Sequence, residues 1–216
     1  LIVFFVAAII ISFGFNKSIS QVTDIDGNVY KTVKIGNQEW MAENLNVEHY
    51  RNGDPILKIK EKNELSAYET GAWCYYDNDM KNEKTYGKLY DWYAVYDARV
   101  LAPEGWHISS DAEWTQLIDF LGGDKIAGAK LKATNLWQSP NAGATNETGF
   151  TVIPGGFLTY RGQFLSIYQF GCFWSSSKSN NFDLHAWGRD MDYAKLEVYR
   201  DESYKSEGRS VRCVKD

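Results

Sequence analysis

The stretch "APEGWHISSDAEWTQLIDFLGG" (residues 102–123) decides how the chain is read. It crowds a histidine, two serines, an aspartate and a glutamate in front of an apolar repeat. Those residue types can make a catalytic cluster or the capped start of a helix. Ser110 and Glu113 stand at the spacing of a capping box, in which the hydroxyl accepts from the Glu113 N–H and the Glu113 carboxylate accepts from the Ser110 N–H. Asp111 adds negative charge to the first turn, where the helix dipole favours it. Trp114, Leu117, Ile118 and Leu121 recur at helical spacing and predict a buried face. Gly122-Gly123 supplies the stop, because glycine takes the left-handed cap conformation at little cost. Only His107 and Ser109 are left without a structural task. His107 has no assignable nucleophile beside it and reads as a hydrogen-bonded junction residue. The stretch is architecture.

Working outward, Leu89, Trp92, Tyr93 and Tyr96 fall on one face of a helix that starts after Gly87 and stops before Pro103. Upstream, residues 22–45 read as short strands turned at Asp26-Gly27 and Gly36-Asn37. Residues 46–72 are polar and irregular and read as a surface loop. "GAWCYYDND" (71–79) is a strand ending in an acidic turn. A short helical turn is expected from Asp124 through Ala129, and from Leu131 onward the chain reads as strands and loops. Strands early, two helices in the middle and strands late predict an α+β domain, closed by pairing of its first and last strands.

The apolar run "LIVFFVAAIIISFGF" is shorter than the roughly 20 residues that span a bilayer. Small residues at Ser18 and Ser20 mark residues 1–20 as a signal peptide cleaved before Gln21, leaving one domain over 21–216. The mature chain is then secreted or held at the cell surface, with no membrane contact after cleavage. Removal of Lys17 leaves 22 basic and 28 acidic residues. That balance argues against nucleic acid as a partner, which needs a basic face.

Two kinds of site residue stand out. Asp77, Asp79 and Glu83 offer oxygen ligands within one loop, a candidate for calcium; otherwise no cofactor is expected. Asp190 and Asp192 are a weaker candidate of the same kind. Tyr160, Phe164, Tyr168 and Trp187 lie among Gly, Ser and Asn, where exposed rings make recognition surfaces with large area and low entropy cost. Ser175-Ser176-Ser177 lacks the glycine-flanked elbow of a serine nucleophile and reads as a strand end.

Several segments together resemble the Fibrobacter succinogenes major paralogous domain family. They are "VYKTVKIGNQEWMAENL" (29–45), "YGKLYDWYAV" (86–95), "LAPEGWHISSDAEW" (101–114), "GFTVIPGG" (149–156), "FWSSS" (173–177) and "GRSVRCVKD" (208–216). Ser109-Ser110 departs from the Pro-Thr usual in the family, yet Ser110 keeps the capping hydroxyl. The resemblance implies a secreted or surface protein of bacteria. More distantly, an aromatic-rich helix followed by a capped "AEW" helix is similar to C-type lectin-like and formylglycine-generating folds. That implies a C-type lectin-like α+β domain with two central helices, short antiparallel strands and long loops. Cys74 and Cys213 lie in family-like segments, which implies a bridge between them, stabilising by roughly 3–5 kcal/mol in the chain-entropy estimate. Cys172–Cys213 is the alternative pairing.

The expected function is a non-catalytic binding or adhesion module that recognises extracellular glycan or protein through its aromatic loops. The competing readings are an oxidase of the formylglycine-generating type, using copper at Cys172 and Cys213, and a purely structural surface protein.

Overall fold

The computed structural model describes residues 20–60 and 70–216; the expected signal peptide lies outside the described residues except for Ser20. Three strands come first: β1 (Gln21–Thr23), β2 (Val29–Ile35) and β3 (Gln38–Met41). The hairpin turn between β2 and β3 places Gly36 at φ +60°, as its Gly-Asn sequence predicts. β4 (Leu57–Lys58) and β5 (Ala72–Cys74) precede a single helical turn, α1 (Glu83–Tyr86). Then come β6 (Leu89–Tyr90), α2 (Trp92–Val95), β7 (Trp106–Ile108), α3 (Asp111–Phe120) and α4 (Asp124–Leu131). The rest is strand: β8 (Gly155–Leu158), β9 (Phe164–Ile167), β10 (Phe170–Lys178), β11 (His185–Asp192), β12 (Val198–Tyr204) and β13 (Cys213–Lys215).

These strands build two five-stranded sheets, ordered β1-β2-β3-β13-β7 and β12-β11-β10-β8-β9, and a small sheet β4-β5-β6. The first and last strands lie in one sheet but do not pair as expected, because β2 and β3 stand between β1 and β13. β13 slots between β3 and β7, with Val214 opposite both Trp40 and His107.

At 35% strand and 17% helix the chain is mostly β, and its two large sheets curl into half-barrels. This overturns the α+β, C-type lectin-like architecture of two central helices and short antiparallel strands. One of the two expected helices is not there. Leu89 and Tyr90 are extended, and Asp91 then caps a single turn by accepting from the Ala94 N–H at 2.8 Å. The helical spacing of Leu89 and Trp92 arises because a strand and a one-turn helix each bury one of them. Tyr96, expected on the same helix face as Trp92, is 62% exposed and stacks on Trp92 at 4.6 Å. The strands of the second half are also longer than short strands on long loops would be. β10, β11 and β12 run antiparallel; β11 and β12 pair in continuous register, with Arg189 opposite Arg200 and Asp190 opposite Tyr199, while the β10–β11 register shifts between Trp174 and Lys178.

The capped helix forms as its sequence requires. Glu113 N–H donates to Ser110 Oγ at 3.2 Å and Ser110 N–H donates to Glu113 Oε2 at 2.7 Å. Gly122 and Gly123 take φ of +103° and +99° at its end. α4 follows and runs two residues past the expected stop at Ala129. Trp114 anchors the helix between the sheets, with ring centroids 5.0 Å from Trp40 of β3 and 5.6 Å from Phe173 of β10. The described part of the 46–72 segment is more than a surface loop: residues 51–55 are exposed, but Val47, Tyr50, Ile56 and Ile59 are buried.

Candidate functional site

Alternation along a strand sends successive side chains to opposite faces. On β11 this divides Arg189, which reaches Asp111 of α3, from Asp190, which reaches Arg209. On that second face β12 contributes Asp201 and Ser203. A cleft of about 420 Å³ opens there, walled by Phe157, Phe170, Tyr160 and Tyr204 and floored by Arg209 and its acidic neighbours.

Arg209 is the hub of the floor. Its Nη1 donates to Asp190 at 2.7 Å, its Nη2 to Glu207 at 3.1 Å and to Ser203 Oγ, and Asp201 stands at 3.5 Å. The guanidinium lies over Trp174 at 5.1 Å. Gly188 makes room for it, because a Cβ there would stand 2.9 Å from Arg209 Nη1. Three carboxylates around one buried cation give the floor an acidic excess. Burial pushes the Asp190 and Glu207 carboxyls above their usual range despite Arg209. Arg209 itself stays charged, because its acidic neighbours outweigh the burial that opposes its charge. Burial and the nearby Asp190 also hold the Cys172 thiol well above its ordinary value.

A ladder of rings forms the rim. Tyr160 packs on Tyr204 at 4.4 Å and Tyr204 on His185 at 4.2 Å. Tyr160 and Tyr204 keep 36% and 37% of their surface open. The Nδ1 atom of His185 is buried without a hydrogen-bond partner.

Of the four aromatic residues expected to form a recognition surface, only Tyr160 lines this cleft. Phe164 packs on Tyr76 at 5.3 Å and Tyr168 stands edge-on to Tyr86 at 6.4 Å. Trp187 is covered by the Arg200 guanidinium, 3.3 Å above its ring. Tyr204, His185, Asp201, Ser203 and Arg209 were not singled out from sequence. The alternation in "VYRDESY" (198–204) carries the only local sign that Asp201 and Ser203 share a face.

The members of the expected calcium trio are each engaged locally or outside any metal-holding group among the described residues. Asp79 accepts from the Lys81 N–H at 3.0 Å, closing a local turn. Glu83 turns inward to Lys88 at 3.0 Å, and Asp77 takes a left-handed backbone at φ +55°. Among the described residues no group of three His, Cys, Asp or Glu is placed to hold a metal ion. Of the weaker pair, Asp190 serves Arg209 and Asp192 accepts from the Ala194 N–H at 2.7 Å.

Cys74, Cys172 and Cys213 are all free and buried. Neither the Cys74–Cys213 bridge nor the Cys172–Cys213 alternative is made. The three thiols sit in β5, β10 and β13, which belong to three different sheets. His107 is held from both sides, its Nε2 2.6 Å from Glu113 and its Nδ1 2.7 Å from Asp216. Ser175 donates to the Trp187 carbonyl at 2.9 Å and Ser177 Oγ accepts from the Asp111 N–H at 3.0 Å.

The sequence profile of the Fibrobacter succinogenes major domain matches residues 33–215, and the chain belongs to that family. No curated protein and no solved structure matches it.

Proposed function

We propose that this member of the Fibrobacter succinogenes major domain family is a binding module, displayed outside the cell, whose cleft recognises a glycan. The observation that carries the reading is the half-open Tyr160–Tyr204–His185 ladder standing over a carboxylate-lined floor. Sugars present an apolar C–H face beside a ring of hydroxyls. An exposed aromatic ring suits the first, and carboxylate and hydroxyl acceptors such as Asp201 and Ser203 suit the second. The cleft has the size of an ordinary small-ligand site, which favours one or two sugar units over an extended protein surface. Its acids and Arg209 hold one another in fixed positions, an arrangement suited to recognition without turnover. The competing oxidase would require Cys172 and Cys213 to act together, and they lie in β10 and β13 of different sheets.

A glycan array read with the full chain tests the proposal. Binding to a subset of glycans is expected, weakened about tenfold by Tyr160→Ala, the change of about 1.4 kcal/mol that loss of one stacking ring implies. Absence of binding to every glycan, or binding indifferent to both Tyr160→Ala and Tyr204→Ala, would overturn it.

A further inference from the structure

Lys88 is a lysine that the fold has taken almost completely out of water, with 1% of its surface exposed. Its Nζ lies 2.9 Å from Asn46 Oδ1, 2.9 Å from the Asn46 backbone carbonyl and 3.0 Å from Glu83 Oε1. The Trp73 ring stands 4.7 Å from Nζ and the Tyr75 ring 5.4 Å, closing the other sides. Glu48 is the remaining charged neighbour, at 3.4 Å.

The decisive contact is the third side of this triangle. Asn46 Nδ2 donates to the same Glu83 Oε1 at 3.3 Å. One carboxylate oxygen therefore touches both an amine and the nitrogen of a side-chain amide. Asn46 is fixed in place, its backbone N–H donating to Tyr30 Oη at 2.9 Å and its carbonyl accepting from Asn28 at 3.2 Å. Gly87, at φ +71°, lets the Lys88 segment approach so closely that a Cβ would stand 3.0 Å from the Leu45 carbonyl. An amine hydrogen-bonded to a side-chain amide carbonyl, with one carboxylate oxygen touching both nitrogens, brings together the partners and the proton carrier that acyl transfer needs.

We propose that Lys88 and Asn46 become joined by an intramolecular isopeptide bond, with Glu83 as the proton carrier. Glu83 takes a proton from the Lys88 ammonium, and the freed lone pair adds to Asn46 Cγ. Glu83 then returns the proton to Nδ2, the Cγ–Nδ2 bond breaks and ammonia departs, and Glu83 passes the second proton shed by Nζ to the ammonia, which leaves as ammonium. A Cγ–Nζ amide remains. The step is a transamidation with no change of oxidation state, so neither an oxidant nor a cofactor enters the balance. Asn46 and Glu83 line a cleft of about 410 Å³, which offers the ammonia a way out. The product would clamp the segment after β3 to β6 and close the intervening chain into a covalent loop.

The intact mass of the folded, full chain tests this directly, together with a tryptic map. The expected mass is one ammonia below that of the linear sequence, with Asn46 and Lys88 recovered in one branched peptide and no cleavage after Lys88. Glu83→Gln, which cannot carry the proton, and Lys88→Arg, which keeps the charge, should both return the full mass. A wild-type chain at full mass, with Asn46 and Lys88 in separate linear peptides, overturns the proposal. So does an ammonia loss that persists in Lys88→Arg or maps to another peptide. Because the wild-type chain alone decides the question, a variant that fails to fold does not shelter the idea.

Discussion

Arg189 and Asp111 meet at 2.7 Å across the boundary between β11 and the first turn of α3, and the arginine side chain is only 1% exposed. Asp111 also holds the outer Arg200 at 2.8 Å, so one carboxylate ties the helix to the edge strand β12 and its inner neighbour β11. Burial raises the Asp111 carboxyl, but the two arginines outweigh it and keep the group below its usual range. Removing one partner of a buried pair leaves an uncompensated charge, which costs about 3–5 kcal/mol. Asp111→Ala should therefore lower the urea midpoint by that equivalent at unchanged slope, whereas Arg200→Ala, on the exposed side, should cost far less. Equal losses from the two variants would refute the asymmetry.

Asp91 predicts a pH dependence of the opposite sign to ordinary acid denaturation. Its Oδ1 accepts from Ala94 and Ala72 N–H groups, while Oδ2 is buried with no partner. Burial pushes this carboxyl up to about 7, although those backbone bonds pull the other way. An unfolded aspartate loses its proton near about 3.9. Between those values the native state binds more protons than the unfolded one. This term therefore falls as pH rises from about 4 to about 7, by up to roughly 4 kcal/mol, and is flat above. Asp91→Asn keeps the cap and should flatten the curve over that window. Denaturation midpoints measured for both proteins across it will show whether the slope survives the substitution.

How much of this was legible beforehand depends on the range of the interaction. The start of α3 was readable because the Ser110–Glu113 box and the spacing of Trp114, Leu117 and Ile118 are local. The sheet order was not, because insertion of Cys213–Lys215 between β3 and β7 is decided by pairings more than a hundred residues apart in the chain. Helical spacing misled at Leu89 and Trp92, where the cap at Asp91 divides a strand from a single turn. Residue type drew attention to Tyr160, which lines the cleft, but could not foresee that Arg200 covers Trp187 or that Phe164 turns in to Tyr76. The floor of the cleft was not readable as a unit, because Asp190 and Asp201 become neighbours only when β11 and β12 pair, and Arg209 reaches them from a segment bridged to Tyr90 of β6.

His107 should titrate as a charged clamp and not as a catalytic base. Burial opposes its charge, but hydrogen bonds to Asp216 and Glu113, with their Coulomb attraction, outweigh it and raise the imidazole above its ordinary value. A histidine whose folded value is raised contributes its full stability below the unfolded value of about 6.5 and loses it as pH rises through the folded one. The advantage of the wild type over His107→Gln should therefore shrink across that window. NMR titration of the His107 ring should show a raised midpoint that drops in Glu113→Gln; an unmoved midpoint would remove Glu113 from the account.

Arg212 draws three of the family-like segments onto one side chain, and its loss should be the most damaging single change outside the cleft. It is completely buried, and its partners are carbonyl oxygens. Nε donates to Asn44 Oδ1 at 2.8 Å, Nη1 to the Met41 and Phe150 carbonyls at 2.9 and 2.7 Å, and Nη2 to the Thr151 carbonyl at 2.9 Å. Asn44 and Met41 belong to 29–45, Phe150 and Thr151 to 149–156, and the arginine itself to 208–216. Burial pulls the guanidinium down to about 9, which still leaves it charged at neutral pH. A planar fork can serve acceptors on three sides at once; a lysine ammonium is a single point and cannot. Arg212→Leu would strand four buried acceptors at about 1–3 kcal/mol each, so a loss above about 4 kcal/mol is expected. Arg212→Lys should recover only part of it, because one ammonium cannot reach all four oxygens. Urea denaturation of the two variants beside Tyr160→Ala, which should unfold like the wild type, separates this structural core from the recognition surface. Full rescue by lysine would mean that charge alone, and not the fork, holds the three segments together.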